Sequence, residues 1–591
     1  MKVVAFYVGS SLLAPLKHAE SEINQQYQLD LQIVAYNFGA PLADDDWGRI
    51  DHDVQTCEIV FAMHVMDGEN AARLMTLLDR HKKAHAAVVV INCMPDLMRR
   101  THMGKLDVSH LARAKENGNN AEEEGGSFDP LAIMSAAGSW VGRQVRRGKA
   151  SKGKKHGHGQ YLKWIDRLPG ILKFVPSAGG LRDVKNYLNI FCYFLQPTPA
   201  NICSMVLFAL KEYVADDRLL PVRISVSPPE RMPSVAIYHP DATGLFESYD
   251  AYEKWYLTRS RQSIKTAAHE ALAPESTIGL LLMRPHVVSK TTKHYDALIR
   301  AIEAEGLSVI PALSTLMDNR EAVTKFFLRE DKSKVQSSQS SSEETYLLHD
   351  REPLTGRARV SQIVSLTGFS FVGGPAMNDS EAAAEFLRDL NRPYRSAVSL
   401  DTQTIDSWQL SQTGLNPIQS GMQIAIPEID GAIEPFIYGG IPGQGVEPVA
   451  LDDRCVRFAR RLKRWNRLRT APREELKLAL TLFCFPPNKG NIGTAADLDV
   501  FPSLWDTLNR LKSEGYQVTL PDSVDALREM IIGGNADSFA STANVAYRMS
   551  ASEYRRLCPY VAEAEQDWGA APGAVNTFGG ELLIQGVTLG S

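Results

Sequence analysis

The sequence predicts an α/β protein of several domains, with doubly wound parallel-sheet units joined by a helical neck. Three observations predict it. Near-continuous Val/Ile runs alternate with helical stretches at the start and again past residue 277, as in parallel strands covered on both faces. A length of 591 residues exceeds what one core fills, so roughly three to five domains are expected. Finally, Phe483–Leu504 reads as a strand end, a Pro-broken glycine-spaced loop and a helix start, the kind of place where α/β folds take up ligands.

The first unit, residues 1–115, starts with strand Val3–Val8, helix Ser11–Gln25 and strand Leu31–Asn37. Strand Cys57–His64, helix Glu69–Lys83 and strand Ala86–Asn92 follow. The pattern dissolves over 116–160, a flexible basic linker in which Arg143–Lys155 carries seven cations and no acid. Such a run reads first as a solvated linker; docking on an acidic partner or a membrane surface is the sharper alternative. Leu162, Ile165, Leu168, Ile171 and Leu172 recur at helical spacing, so 161–230 is read as the helical neck.

A second α/β unit is expected over 231–450. Its strands are Ser234–Tyr238, Thr277–Met283, Ser308–Ala312, Gln362–Leu366 and Ala397–Leu400, and its helices Tyr295–Glu305 and Arg320–Phe327. The serine-rich stretch 332–345 is expected to be a disordered insertion, and Pro417–Gly445 to form loops around short strands. Residues 451–591 are expected to make a further α/β domain, truncated at its C-terminus. It has a basic helix Arg454–Arg469, a strand Leu478–Phe485, a helix running to about Gly515, and then Tyr516–Thr519 and Val524–Met530.

Composition excludes several functions. The net charge of −5 offers no general attraction for nucleic acid. Seven scattered cysteines without a CxxC pair argue for a reducing compartment and against a zinc or disulfide framework. No apolar run reaches the ~18 residues of a membrane span, and Tyr187–Leu195 reads as a buried helix or, less simply, a membrane-surface contact. No signal peptide is visible, since Met1 leads directly into a strand. Gly148–Lys155 has Walker spacing but lacks the Ser/Thr that holds Mg²⁺ and follows no strand, so this chain is not expected to hydrolyse ATP. The Asn488–Gly493 loop lacks dinucleotide spacing.

The residues that could carry chemistry sit at strand ends and turns. Arg284 and His286 follow strand Thr277–Met283, where a cation and an imidazole suit a ligand carboxylate or a proton transfer; a plain loop turn explains them equally well. Glu428, Asp430 and Glu434 put three carboxylates in one turn, suited to a hard cation or simply to ordering their own loop. Asn488, Asn491 and Gly493 could form a ligand loop before a helix. His81 and His85, four apart at a helix end, read as a cap rather than a metal pair, and no metal ligands are assigned.

Four separated blocks resemble the large H subunit of magnesium chelatase, within the cobalt chelatase large-subunit superfamily. They are Cys93–Asp107; Ile278–His286; Val364–Pro375 with Gly414–Gln419 and Ile426–Gly431; and Phe485–Leu504. The resemblance implies a porphyrin-binding subunit that takes part in ATP-dependent insertion of Mg²⁺ into protoporphyrin IX, a nitrogen–metal ligase reaction of chlorophyll or bacteriochlorophyll biosynthesis. Protoporphyrin IX and Mg²⁺ would be substrates, and two AAA+ partner subunits would use the ATP. The location would be cytoplasmic, or plastid stroma in a phototrophic eukaryote. On this resemblance His286, Glu428, Asp430 and Glu434 would be catalytic, and Arg284, Asn488, Asn491 and Gly493 would contact porphyrin. Gly579–Gly586 resembles a mid-chain segment of that family. The expectation is therefore an N-terminal half or fragment, inactive alone, being either a piece of a longer chain or the product of a split gene whose second polypeptide completes the subunit, with a genuine short form left open. A non-catalytic tetrapyrrole-binding module and a cobalt chelatase large subunit remain as alternatives.

Overall fold

In the computed structural model, all residues are described except 40–41, 66–67, 92, 110–179, 215–223, 264–271, 315–317, 331–353, 374–377, 444, 446, 487, 496, 559, 574–575 and 591. The basic linker, the first part of the neck and the serine-rich insertion lie outside the described residues. The described chain divides into two compact units, Met1–Asn466 and Arg467–Ser591.

The first unit holds two sheets. In one, β1 (Lys2–Tyr7), β2 (Gln32–Asn37), β3 (Ile59–Met63) and β4 (Ala87–Ile91) run parallel, in the order β2-β1-β3-β4. Two short antiparallel strands, β5 (His102–Met103) and β6 (Leu106–Asp107), finish the edge. Every residue of β3 and β4 is buried, as their unbroken apolar sequences require when helices cover both faces. Each such Val, Ile or Phe side chain contributes about 1.5–3 kcal/mol by leaving water.

The described part of the neck supplies α5 (Gly180–Phe194) and α6 (Pro199–Tyr213), which follow α1 (Leu13–Tyr27), α2 (Asp44–Thr56), α3 (Glu69–Arg80) and the short α4 (Pro95–Met98). Thr198 caps α6 by accepting from the Asn201 N–H, ahead of Pro199 at the first helical position. Apolar residues fall on nearly every side of α6, which explains its burial, and α5 is fastened to the first sheet by Tyr187, whose hydroxyl donates to the Val90 carbonyl at 2.8 Å.

The second sheet is β7 (Thr277–Met283), β8 (Ser308–Ser314), β9 (Gln362–Ser365), β10 (Tyr394–Leu400), β11 (Ile433–Gly440) and β12 (Val449–Ala450), in the order β12-β11-β10-β9-β7-β8. All pairs are parallel except β11 with β12. Helices α7 (Tyr249–Ser263), α8 (Arg284–Val288), α9 (Lys293–Ala304), α10 (Ser380–Leu390) and α11 (Asp452–Thr470) accompany it. Two expectations change here. Ser234–Tyr238 is not a strand; only Ile237 makes bridges, to Phe246 and Ala312. Pro417–Asp430 is helical rather than looped, because Asn416 caps its start by accepting from the Gln419 N–H, and Gly431 ends it in the left-handed region at φ +112°.

Two buried ionic groups brace this sheet. Glu303 accepts from Arg259 at 2.8 and 2.9 Å, from Tyr256 at 2.7 Å, and meets His239 at 3.2 Å. Burial raises its pKa, but the bonds from His239 and Arg259 outweigh burial and bring it to about 2. Arg395 is fully buried, donates to Glu434 at 3.0 Å and Gln362 at 2.6 Å, and lies 4.6 Å from the Trp465 ring centre.

The second unit contains α12 (Val500–Ser513), α13 (Val524–Ile532), α14 (Ala551–Leu557), α15 (Val561–Trp568) and a three-stranded antiparallel sheet. That sheet orders β13 (Val545–Ser550), β15 (Glu581–Gln585) and β14 (Thr577–Phe578) as β13-β15-β14. The expected strand Leu478–Phe485 is no ladder strand: its one bridge joins Cys484 to Ile492. Leu482 and Cys484 pack inward, while Leu478, Leu480, Phe483 and Phe485 are exposed.

Removing the Glu434 carboxylate leaves the Arg395 charge buried with only amide and ring partners. Glu434→Ala should therefore destabilise the first unit by about 1–3 kcal/mol in urea unfolding, more than an exposed-pair deletion such as Glu69→Ala.

Candidate functional site at the facing sheet edges

In a doubly wound sheet, ligands gather outside the carboxyl ends of the strands, at the point where the strand order reverses. In the first sheet the chain reverses about β1, whose neighbours are β2 and β3. In the second it reverses about β7, whose neighbours are β8 and β9. The loops that leave these two strands meet. Gly9, at φ +103°, turns the chain out of β1 and delivers Ser10. Pro285, at the first turn of α8, sets His286 just beyond β7.

Ser10 Oγ lies 3.3 Å from His286 Nε2 and donates to Asp401 Oδ1 at 2.7 Å. Asp401 directly follows β10, 391 positions along the chain from Ser10. Its other oxygen accepts from Gln423 Nε2 at 3.3 Å. His286 Nδ1 is 2.9 Å from Thr291 Oγ1, which fixes the ring. Nearby, a Cβ on Gly39, just past β2, would come within 3.3 Å of the Thr402 methyl, so the two sheets meet closely there.

Ser10 and His286 are each only 3% exposed. Burial pushes His286 down to about 4, so its imidazole is neutral at ordinary pH. Burial pushes the Asp401 carboxyl up to about 6, against the opposing bonds from Ser10 and Gln423. A neutral imidazole and a carboxyl that titrates near neutrality share one hydroxyl. That arrangement can accept, hold and release a proton.

The other sequence-derived residues make their own contacts. Arg284 donates to the Pro233 carbonyl at 2.8 Å, the Met232 carbonyl at 2.9 Å and Gln196 Oε1 at 2.6 Å, so it ties α5's end and the following connection to β7. Asp430 is fully buried and accepts from Ser370 Oγ and the Phe371 N–H, both at 2.7 Å. Glu434 points to Arg395, and Glu428 lies on the helical turn before Gly431. These three carboxylates do not converge, and among the described residues no three His, Cys, Asp or Glu side chains gather as a metal cage. In the second unit, Asn488 accepts from the Asn491 N–H at 3.1 Å, and both amides donate to the Pro486 carbonyl. Gly493, at φ +76°, sits where a Cβ would come within 3.2 Å of Val500 and 3.3 Å of Phe501. His81 meets Asp51 at 2.8 Å, while His85 meets the Cys57 carbonyl at 3.2 Å. Cys93 is buried and its thiol is pushed up to about 12, so it is a packing group.

Ser10 and Asp401 escaped the sequence reading. The only signal for either is its position one to three residues past a strand end, which many inert residues share.

The family profile described as CobN/Magnesium Chelatase matches residues 191–591, and one described as a domain of unknown function (DUF3479) matches 2–188. The chloroplastic magnesium-chelatase ChlH of Oryza sativa subsp. indica is 32% identical over 100% of this chain. The magnesium-chelatase H subunit of Cereibacter sphaeroides is 31% identical over 90% of it. The chain spans only 39% and 40% of those two relatives. The aerobic cobaltochelatase CobN of Pseudomonas aeruginosa is 26% identical over 52% of this chain. Among solved structures, the catalytic component of cobaltochelatase from Mycobacterium tuberculosis aligns with a TM-score of 0.48 and 18% identity, covering 100% of this chain and 38% of that one.

A carboxyl whose pKa rises on folding stabilises the fold fully below its unfolded value of 3.8, and that stabilisation is lost as pH climbs through about 6. Asp401→Asn removes this loss. Its melting temperature relative to the parent chain should rise steadily from about pH 4 to about pH 7 in scanning calorimetry. A difference that stays flat across the range would show that Asp401 is not held protonated by burial.

Proposed function

Since this chain belongs to the CobN/Magnesium Chelatase family, we propose that it serves as the porphyrin-binding, H-type subunit in ATP-dependent insertion of Mg²⁺ into protoporphyrin IX, in chlorophyll or bacteriochlorophyll biosynthesis. The observation that carries the reading is the Ser10–His286–Asp401 cluster, formed where the reversal points of two parallel sheets face each other. The whole-chain likeness to relatives named for magnesium favours that metal over cobalt, whose CobN relative matches about half of this chain.

Insertion exchanges two pyrrole N–H protons for one Mg²⁺ ion, which leaves its waters reluctantly. Porphyrin and Mg²⁺ are substrates in this reading. The chain's own task is to seat the macrocycle and receive protons. Asp401, titrating at about 6, is mostly ionised at neutral pH and takes a proton without a large penalty. Ser10 holds Asp401 and His286 in register, and Thr291 holds the far nitrogen of His286. ATP hydrolysis falls to two AAA+ partner subunits. The isolated chain binds porphyrin but does not turn over. It works in the cytoplasm or the plastid stroma; among the described residues no helix is long and apolar enough to cross a membrane.

The test is a titration with a water-soluble protoporphyrin IX analogue, following quenching of the eight tryptophans and the porphyrin absorbance. Saturable micromolar binding is expected, weakened about tenfold in Ser10→Ala and His286→Ala by loss of one buried polar contact. The proposal fails if binding does not saturate, or if both variants bind as the parent does.

A further inference from the structure

The face of α11 turned away from the second sheet is a row of arginines. The inner face packs through Cys455, Phe458, Ala459 and Leu462, all buried. On the opposite side Arg457, Arg460, Arg461 and Arg464 are exposed. They occupy positions i, i+3, i+4 and i+7, which share one side of a helix over a rise of about 10 Å. Lys463 is exposed beside them. Two carboxylates answer these cations. Asp453 meets Arg457 at 3.6 Å, and Glu305, just past α9, meets Arg460 at 3.0 Å and Lys463 at 3.7 Å. Arg457, Arg460 and Lys463 still keep more than half of their side-chain surface in solvent, at 58%, 63% and 57%. Among the described residues, Arg461 and Arg464 have no carboxylate within ion-pair distance.

This crowding works against the free chain. Arg457 with Arg461, and Arg460 with Arg464, are like charges four residues apart, a spacing that opposes helix formation. The repulsion also reaches inward. Burial holds the Arg395 and Arg454 guanidiniums below their ordinary range, and the Arg461 charge lowers both further. Arg461 nevertheless keeps its place. It lies 5.3 Å from the centre of the Phe436 ring, which Arg454 also covers at 4.6 Å. The row is thus charged, exposed and set on a helix that the sheet core holds in position.

We propose that this face of α11 docks an acidic protein segment, one that presents carboxylates over about two helical turns. A small anion meets one or two of these guanidiniums, whereas a row of carboxylates at matching spacing meets all four and removes the repulsion between them. Nucleic acid fits less well. The chain carries a net charge of −5, and the rings nearest the row are already engaged, Trp465 with Arg395 and Phe436 with Phe458. A membrane surface fits less well too, because the apolar side of α11 is covered by the sheet and is not there to insert. The proposal rests on α11 and its neighbours, and on no part of the metal-insertion function.

The experiment is fluorescence anisotropy of the full chain with a labelled synthetic helix bearing glutamates at i, i+3, i+4 and i+7 and alanines elsewhere. Saturable binding is expected at low salt, weakening steeply as salt is added. The double variant Arg461→Glu/Arg464→Glu should bind about tenfold or more weakly. Its melting temperature should hold or rise, because both repulsive pairs become attractive. Arg461→Gln/Arg464→Gln keeps side-chain length without charge and should also weaken binding, which covers the case in which the glutamate variant does not fold. Arg49→Glu/Lys254→Glu changes net charge as much at other exposed cations and should bind within about twofold of the parent. Equal loss in that control and in the α11 variants overturns the proposal, as does unsaturable binding by the parent chain. So does tighter binding of a single-stranded RNA, or of phosphatidylglycerol vesicles, that is lost in the same α11 variants. Porphyrin titration reads the functional proposal separately, so failure of one leaves the other standing.

Discussion

One serine hydroxyl joins the two halves of the first unit where the carboxyl edges of their sheets face each other. Ser10 belongs to the first loop of the first sheet, yet its hydrogen bond ends on the residue that follows a central strand of the second. Half-buried and moved toward neutrality by desolvation, Asp401 cannot release Ser10 without cost. His286 fits against the same hydroxyl only while Thr291 holds its other nitrogen. The orientation of β1's loop, the position of α8 and the charge state of Asp401 are thus one coupled arrangement.

Charge inside this unit is handled in two ways. Glu303 is surrounded by donors from three different side chains and stays ionised. Its role is bracing, since its partners come from α7 and from the loop before it. Asp401 has two donors, neither of them charged, and therefore moves toward neutrality. Burial among different partners gives one carboxylate a structural role and leaves the other able to exchange protons.

The strands were legible in the sequence because fully covered parallel strands are apolar at every position. The expected runs Val3–Val8 and Thr277–Met283 correspond to β1 and β7 within one or two residues. The basic helix also appears, as Asp452–Thr470, its buried Cys455, Phe458, Ala459 and Leu462 recurring at helical spacing. What local pattern could not supply was company. Leu478–Phe485 has strand composition but no ladder partner, and composition says nothing of neighbours. The carboxylates at 428, 430 and 434 looked like a group because they are near in sequence; the change from helix to strand after Gly431 sends Asp430 to Ser370 and Glu434 to Arg395. The reverse holds for Ser10, His286 and Asp401, which become neighbours only through the packing of two sheets.

The enclosure of that cluster has a kinetic consequence. Ser10 and His286 are almost without solvent contact, so a molecule as broad as a tetrapyrrole reaches them only while the two sheet edges stand apart. Occupancy would then be timed by how often the edges part, and raising the ligand concentration would bring the association rate to a plateau set by the protein rather than by diffusion.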